Sequence, residues 1–410
     1  MERKHPLAGL RVIDLASFIA GPVATTIMAD FGAEVIKIEP PGKGEPYRTR
    51  NWTPGTPNHR YIIDNRSKKS LALDLKSEDG LAAFYDLVKT VDVVVTNLPM
   101  DIRKRLKVTY EDLADLNERL VYASITAYGE VGPEASKTGF DSVALWARTG
   151  LMDLVRATRD TPPAISPGGM GDHPTGMSLY AAIMTALYDR ERTGKGSMVT
   201  TSLMANGVWW SALQVQEMLC GYPITSRETG RNGPNALANM YQCRDGRWFV
   251  LVVANEERQW PALAHLVGRP ELTDDPRFAT MAARRENAAE LFDIFEAAFT
   301  SRDWPEWRKA LDEASITFGL VGLTSELEHD EQVLATETLI PTANPEVGAK
   351  LTVNSPIWIH GHKKVPAARP PGLGEHSEAV LREAGLGEER IRKLLESGAV
   401  SQGGPFPKVD

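Results

Sequence analysis

Cysteine is nearly missing from this chain: Cys220 and Cys243 are the only two in 410 residues. That scarcity excludes a disulfide framework and a cysteine-rich zinc site, and it points to a reducing cytoplasmic setting. Long apolar runs are missing as well. No stretch approaches the ~18 residues needed to span a bilayer, so no membrane partner is expected. The opening Met1-Glu2-Arg3-Lys4-His5-Pro6 leads into Leu7 without the apolar region of a signal peptide. An excess of basic charge is absent too: the formal net charge is −8, which argues against nucleic acid as a partner. The eight histidines fall in no HExxH or Cys/His spacing. His360-Gly361-His362 reads as loop histidines, and no metal is expected. A dinucleotide fingerprint is also lacking. Glu39 ends a predicted strand where an acidic residue would meet a ribose, but the first strand-to-helix turn, Ala16-Ser17-Phe18-Ile19-Ala20-Gly21-Pro22, carries one glycine where three are required.

What is present is the composition of a globular protein, 42% apolar and 24% charged, in a chain long enough for two domains. Residues 10–14, 34–39, 91–96 and 120–126 read as buried strands, with helices predicted over 21–31 and 77–89. This alternation predicts an α/β domain with a parallel sheet and right-handed crossovers. From about residue 225 the pattern changes. A Gly/Asn-rich loop over 227–239 precedes a hairpin across Asp245-Gly246, and helices over 256–267 and 287–299 follow. The expected organisation is a large domain over 1–210, to which 340–410 returns, and a small α+β domain over 225–325. Segments 211–224 and 326–339 are the linkers. A Pro-rich strap over 366–371 leads to two short C-terminal helices.

The stretch richest in chemistry is Gly171-Asp172-His173-Pro174-Thr175-Gly176, followed by an amphipathic helical run over 177–192. A carboxylate in a glycine-flanked turn against the first N–H groups of a helix is expected to stay ionised and to be able to attack an acyl group. Taken alone, the stretch is more often the place of an ordinary N-cap aspartate, with Thr175 as a second cap candidate. The local pattern leaves both open.

Several ordered segments together resemble the class III CoA-transferase family, the group that holds formyl-CoA transferase, carnitine CoA-transferases and α-methylacyl-CoA racemase. They are Pro6-Leu7-Ala8-Gly9-Leu10-Arg11-Val12-Ile13-Asp14-Leu15, Ala20-Gly21-Pro22, and Asp30-Phe31-Gly32-Ala33-Glu34-Val35-Ile36-Lys37-Ile38-Glu39. Leu73-Asp74-Leu75-Lys76, Gly171-Asp172 with Thr175-Gly176, Arg192-Thr193-Gly194-Lys195-Gly196 and Leu373-Gly374-Glu375-His376 complete the set. The resemblance implies a Rossmann-like large domain and a smaller domain in an interlocked homodimer. It implies that Asp172 is the catalytic nucleophile, forming first an anhydride and then an aspartyl-CoA thioester. No cofactor is then bound permanently, because the coenzyme A thioester is a substrate and a carboxylic acid is its partner. The implied CoA contacts are Phe18, Ile19 and Ala20, Leu73 and Lys76, Asn97 and Leu98, Arg105, and Lys137. One departure is Pro40, where family members often carry a side chain that packs on adenine; Lys37 and Lys43 are the candidate substitutes. Phe140 separates the family's branches. Racemase members carry His at the middle of the Gly-x-Asp segment, here Gly139-Phe140-Asp141, and a phenyl ring moves no proton. Transfer is therefore the expected reaction and Phe140 a wall of the acyl pocket. The alternative is an acyl-CoA racemase or epimerase using Asp172 with His173 or Asp141 as second base. For the acid, Trp52, Arg48 and Arg50 are candidate substrate contacts, whereas Trp209-Trp210 reads as core. Only Asn232-Gly233-Pro234-Asn235 stands where some members carry a glycine-rich gating loop, and the donor and acceptor acids are left open.

Overall fold

The computed structural model describes residues 5–50, 52–158, 160–222 and 228–409. Among the expectations above, those on the first four residues, on 223–224 of the first linker and on Arg227 at the start of the Gly/Asn-rich loop lie outside the described residues.

The chain divides into two compact units: Met1–Leu151 with Ile165–Gln216 and Asp330–Asp410, and Met152–Ala164 with Glu217–His329. The excursion at Met152–Ala164 has no marker in the composition. In the first unit the strands are β1 (Arg11–Leu15), β2 (Glu34–Glu39), β3 (Lys69–Leu73), β4 (Val93–Thr96), β5 (Val121–Thr126) and β6 (Met198–Ser202). The second unit holds β7 (Ala238–Gln242), β8 (Trp248–Val252) and β9 (Thr317–Leu320). Three short strands, β10 (Leu339–Pro341), β11 (Leu351–Val353) and β12 (Val400–Ser401), come from the returning C-terminal segment.

The main sheet runs in the order β12-β3-β2-β1-β4-β5-β6. All its neighbours pair in parallel except β12, which is antiparallel to β3. Strands covered on both faces read as continuous apolar runs, and Val12, Ile13, Val93, Val94 and Val95 are fully buried. Strand β3 escapes that signature because Lys69 and Ser70 interrupt it, and β6 because its sequence, MVTTS, is only partly buried. The chain order reverses between β1 and β4, and a doubly wound sheet opens its binding crevice at the carboxyl ends of such a pair.

Helix Ala20–Asp30 follows β1 and is buried along its whole length. Against it lies the long helix Asp172–Thr193, which begins five residues earlier than the predicted 177 and takes Asp172 as its first residue, with Gly171 at the cap position. The two approach so closely that a Cβ on Gly176 would stand 2.7 Å from the Ala20 carbonyl oxygen and 2.8 Å from Val23 Cβ. The absence of that Cβ is what lets Asp172 reach the loop after β1.

The second unit is a three-stranded antiparallel sheet, β7-β8-β9, closed by an aromatic cluster around Tyr241. Its ring lies 5.0 Å from that of Phe292 and 4.9 Å from that of Phe299. Among the described residues no helix is long and apolar enough to cross a membrane.

Candidate active site

The loop after β1 is held by side chains from three other strands and turns. The Ala16 N–H donates to Asp14 Oδ1 at 3.0 Å and the Ala16 carbonyl accepts from Lys37 Nζ at 2.9 Å. Asn97, just past β4, clamps Ser17 from both sides: its Oδ1 accepts from the Ser17 N–H at 2.9 Å and its Nδ2 donates to the Ser17 carbonyl at 2.6 Å. Glu45 accepts from the Phe18 N–H at 2.7 Å, and Phe18 sits at φ 64°, a left-handed conformation unusual for a bulky side chain. Lys37 bridges the arrangement, with Nζ 2.7 Å from Glu45 Oε1 and 3.8 Å from Asp14.

This loop walls a cavity of about 410 Å³ that also takes in Asn97, Leu98, Lys137, Phe140 and Asp172. Ile19 and Ala20 line it as well. A neighbouring cavity of about 240 Å³, lined by Glu39, Pro40, Leu73, Lys76 and Leu106, shares Ser17 and Leu98 with the first. Eight of the nine residues implied as CoA contacts are thus gathered at the carboxyl ends of the central strands. The ninth, Arg105, is exposed on helix Met100–Leu106 and lines neither cavity.

Three substrate-side expectations need correction. Arg48 is not free for a substrate carboxylate: its Nε and Nη2 each donate to Glu39 at 2.6 Å, and its guanidinium lies 4.3 Å from the centre of the Tyr61 ring. Trp52 lines a different cavity, of about 480 Å³, with Lys43, Arg48 and Lys408. Its indole N–H donates to the Thr56 carbonyl at 2.8 Å. Trp209 is not core; it is 77% exposed, and Trp210 is 37% exposed. Lys37 is likewise removed as a substitute at the adenine position, since it is fully buried and engaged by Glu45. Arg50 is different. It is exposed and stands over the Phe18 and Phe140 rings, 5.7 and 5.3 Å from their centres, with no ion pair among the described residues. Those two rings meet edge to face at 5.5 Å.

The expectation that Asp172 is fully ionised at neutral pH also fails. Burial pushes its carboxyl up to about 7; the Asp141 and Asp64 charges push the same way and His173 opposes them. The helix N-terminus favours the anion, but a half-buried carboxyl between two others is costly to ionise. Asp141 is committed elsewhere: Oδ2 accepts from the N–H groups of Gly169 at 2.8 Å and Gly171 at 3.1 Å, and Oδ1 from that of Ser142 at 2.7 Å. It thereby fixes the turn that enters the Asp172 helix. His173 is committed too, with Nε2 3.1 Å from Asp64 Oδ1 and Nδ1 3.1 Å from the Gly169 carbonyl oxygen. Neither group presents a free base to the cavity. Sequence patterns did not single out Asp64 or Glu45, because each meets the site only through the packing of a distant segment.

The model of CoA-transferase family III matches residues 7–377. The chain is 32% identical over 403 residues to succinyl-CoA:glutarate CoA-transferase of Mus musculus, covering 97% of this chain and 91% of that protein. It is 32% identical over 403 residues to succinyl-CoA–D-citramalate CoA-transferase of Chloroflexus aurantiacus, covering 95% and 97%. Among solved structures, a CAIB/BAIF family protein from Brucella suis superposes with a TM-score of 0.81 at 29% identity, over 93% of this chain and 100% of that one. With a doubly wound sheet, a carboxylate at its crevice and a match across nearly the whole length, this chain belongs to CoA-transferase family III and is a CoA-transferase.

Proposed function

We propose that the enzyme moves coenzyme A between two carboxylic acids through covalent intermediates on Asp172. The observation that carries this is the position of Asp172, first residue of its helix and wall of the cavity formed by the loops after β1 and β4. An Asp172 oxygen attacks the donor thioester carbonyl; the C–S bond breaks, CoA thiolate leaves and a mixed anhydride remains. The thiolate then attacks the Asp172 carbonyl, which releases the donor acid and leaves an aspartyl-CoA thioester. The acceptor carboxylate attacks that thioester, and the same two steps in reverse deliver the acceptor's CoA ester and restore Asp172. No proton is gained or lost, so the protein's task is to hold the groups and exclude water. CoA extends from the cavity at Leu73 and Lys76 to the one at Phe18, Ile19, Ala20, Asn97, Leu98 and Lys137. Incubation with acyl-CoA and hydroxylamine converts Asp172 to its hydroxamate, read by peptide mass; an unmodified Asp172 in turning-over enzyme overturns the assignment.

The alternative of racemisation is not favoured by this site. Phe140 carries no proton to move, and His173 and Asp141 are held by other partners. A homodimer accounts for helix Ala212–Leu219, which has no buried residue, and for Leu213 and Leu219, 75% and 68% exposed.

Arg50 is the proposed contact for a second anionic group on the acceptor, in keeping with relatives whose names include glutarate and citramalate. A guanidinium on two rings, with no carboxylate partner among the described residues, offers a charge-assisted hydrogen bond worth about 1.5–3 kcal/mol. Arg50→Ala should therefore lower kcat/KM for a dicarboxylate roughly ten- to a hundredfold, while changing it little for the matching monocarboxylate. Equal losses for both acids would make Arg50 a CoA contact or a support for the rings.

A further inference from the structure

His173 follows the proposed nucleophile directly, and the transfer steps above give it nothing to do. Its ring nonetheless has a partner at each nitrogen, a hydrogen bond at Nδ1 and a charge contact at Nε2. The Gly169 carbonyl oxygen, 3.1 Å from Nδ1, can only accept, so Nδ1 carries hydrogen. Nε2 faces Asp64 Oδ1 at 3.1 Å. Asp64, on helix His59–Asn65, is 1% exposed, and His173 is its one ion-pair partner among the described residues. Neither of its oxygens has a hydrogen-bond partner among them, so the contact with Nε2 is a charge contact. A carboxylate buried in this way needs a nearby cation.

We propose that His173 is a positioning residue for Asp172: held as an imidazolium between Gly169 and Asp64, it sets a positive charge beside the nucleophile and favours the ionised form of that carboxylate. The inference rests on the assignment of Asp172 above. The charges around the pair are consistent with it. Asp141, from the wide helical turn Asp141–Ala147, and Asp64 both oppose ionisation of Asp172, whereas His173 favours it. Burial pushes the Asp64 carboxyl above its ordinary range while His173, Lys68 and Arg66 favour its anion, and the Tyr47 hydroxyl, near Asp64 and Asp172, stays neutral because burial raises it further. Partial burial alone would lower His173, but Asp64, the Gly169 carbonyl and Asp172 outweigh it and raise the imidazole to about 9. At pH 7 the cation is therefore present when Asp172, at about 7, is half ionised. Without it, three carboxyl groups would share one small region and Asp172 would hold its proton to higher pH.

Two measurements test this. In wild-type protein with ¹⁵N-labelled histidine, the His173 signals should report both nitrogens protonated from pH 6 to 8, and Asp64→Asn should bring the titration back toward ordinary imidazole. In His173→Gln, which keeps a donor but loses the charge, the acid limb of kcat/KM should move up by about one unit. The loss is then about tenfold at pH 6 and closes by pH 9. The second ionisation of the CoA phosphate appears in both enzymes and leaves the difference unaffected. A neutral His173 at pH 7, or a loss in His173→Gln of equal size at every pH, overturns the inference. The hydroxamate trap on wild-type enzyme separates the two proposals. An unlabelled Asp172 removes the nucleophile and this inference with it. A labelled Asp172 with an unmoved acid limb in His173→Gln removes this inference alone.

Discussion

Asp172→Asn should lower kcat for CoA transfer by about four orders of magnitude or more, equivalent to roughly 5 kcal/mol of transition-state stabilisation. The amide keeps the shape of the side chain and its place at the start of the helix, but its nitrogen and oxygen are poor nucleophiles toward a thioester. Asp172→Glu should retain a carboxylate yet displace it by about the length of one methylene, and misplacement by about 1 Å costs on the order of a hundredfold. Steady-state assays with circular dichroism as a folding control distinguish these outcomes; near-full activity in Asp172→Asn would move the chemistry to another group. The same substitution should raise the melting temperature, and more at pH 8 than at pH 5. The folded carboxyl titrates at about 7 and the unfolded one near 3.8, so across that interval the folded state binds more protons and loses stability as pH rises. Asparagine removes that loss. A nucleophile that destabilises its own fold is a common cost of reactivity.

Lys37→Met should destabilise the first unit by about 3–5 kcal/mol, the usual loss when one member of a buried ion pair is removed. Six charges are packed beneath the loop after β1: Lys37 with Glu45 at 2.7 Å, Lys68 with Asp14 at 2.8 Å and Arg48 with Glu39 at 2.6 Å. Methionine fills the volume of the lysine stem but leaves Glu45 without its cation and the Ala16 carbonyl without its donor. Pairing raises the Lys37 ammonium above its ordinary 10.5. On the lysine side the contribution is lost only in strong alkali, whereas burial pushes the Glu45 carboxyl up, so on the acid side the pair is lost at a higher pH than an ordinary carboxylate would give. Urea denaturation gives the stability, and KM for acyl-CoA should rise as well, because Glu45 also holds the Phe18 N–H. Adding Glu45→Gln should recover part of the stability; a double variant no better than the single one would show that Lys37 acts through packing, not charge.

The sequence by itself determined the alternating strands and helices, because burial on both faces writes a parallel strand as an apolar run. Residues 34–39 are legible to the residue as Glu34–Glu39. It also determined the glycine-flanked Asp172 and the ordered motifs of the family, all of them local in the chain. Lys69 and Ser70 hid β3, since Ser70 finds a buried partner in Glu39 and Lys69 pairs with Glu34 and Glu383, so the apolar run is cut. Only the tertiary structure decided what the charged residues do. Arg48 looks free beside Arg50 in the chain, yet the fold sets it against Glu39 and leaves Arg50 on the rings of Phe18 and Phe140. Asp172 looks ionised at a helix N-terminus, yet burial and the approach of Asp141 and Asp64 bring it near neutrality. Electrostatic character depends on desolvation and on neighbours that arrive from distant segments, and no local pattern of residues encodes either.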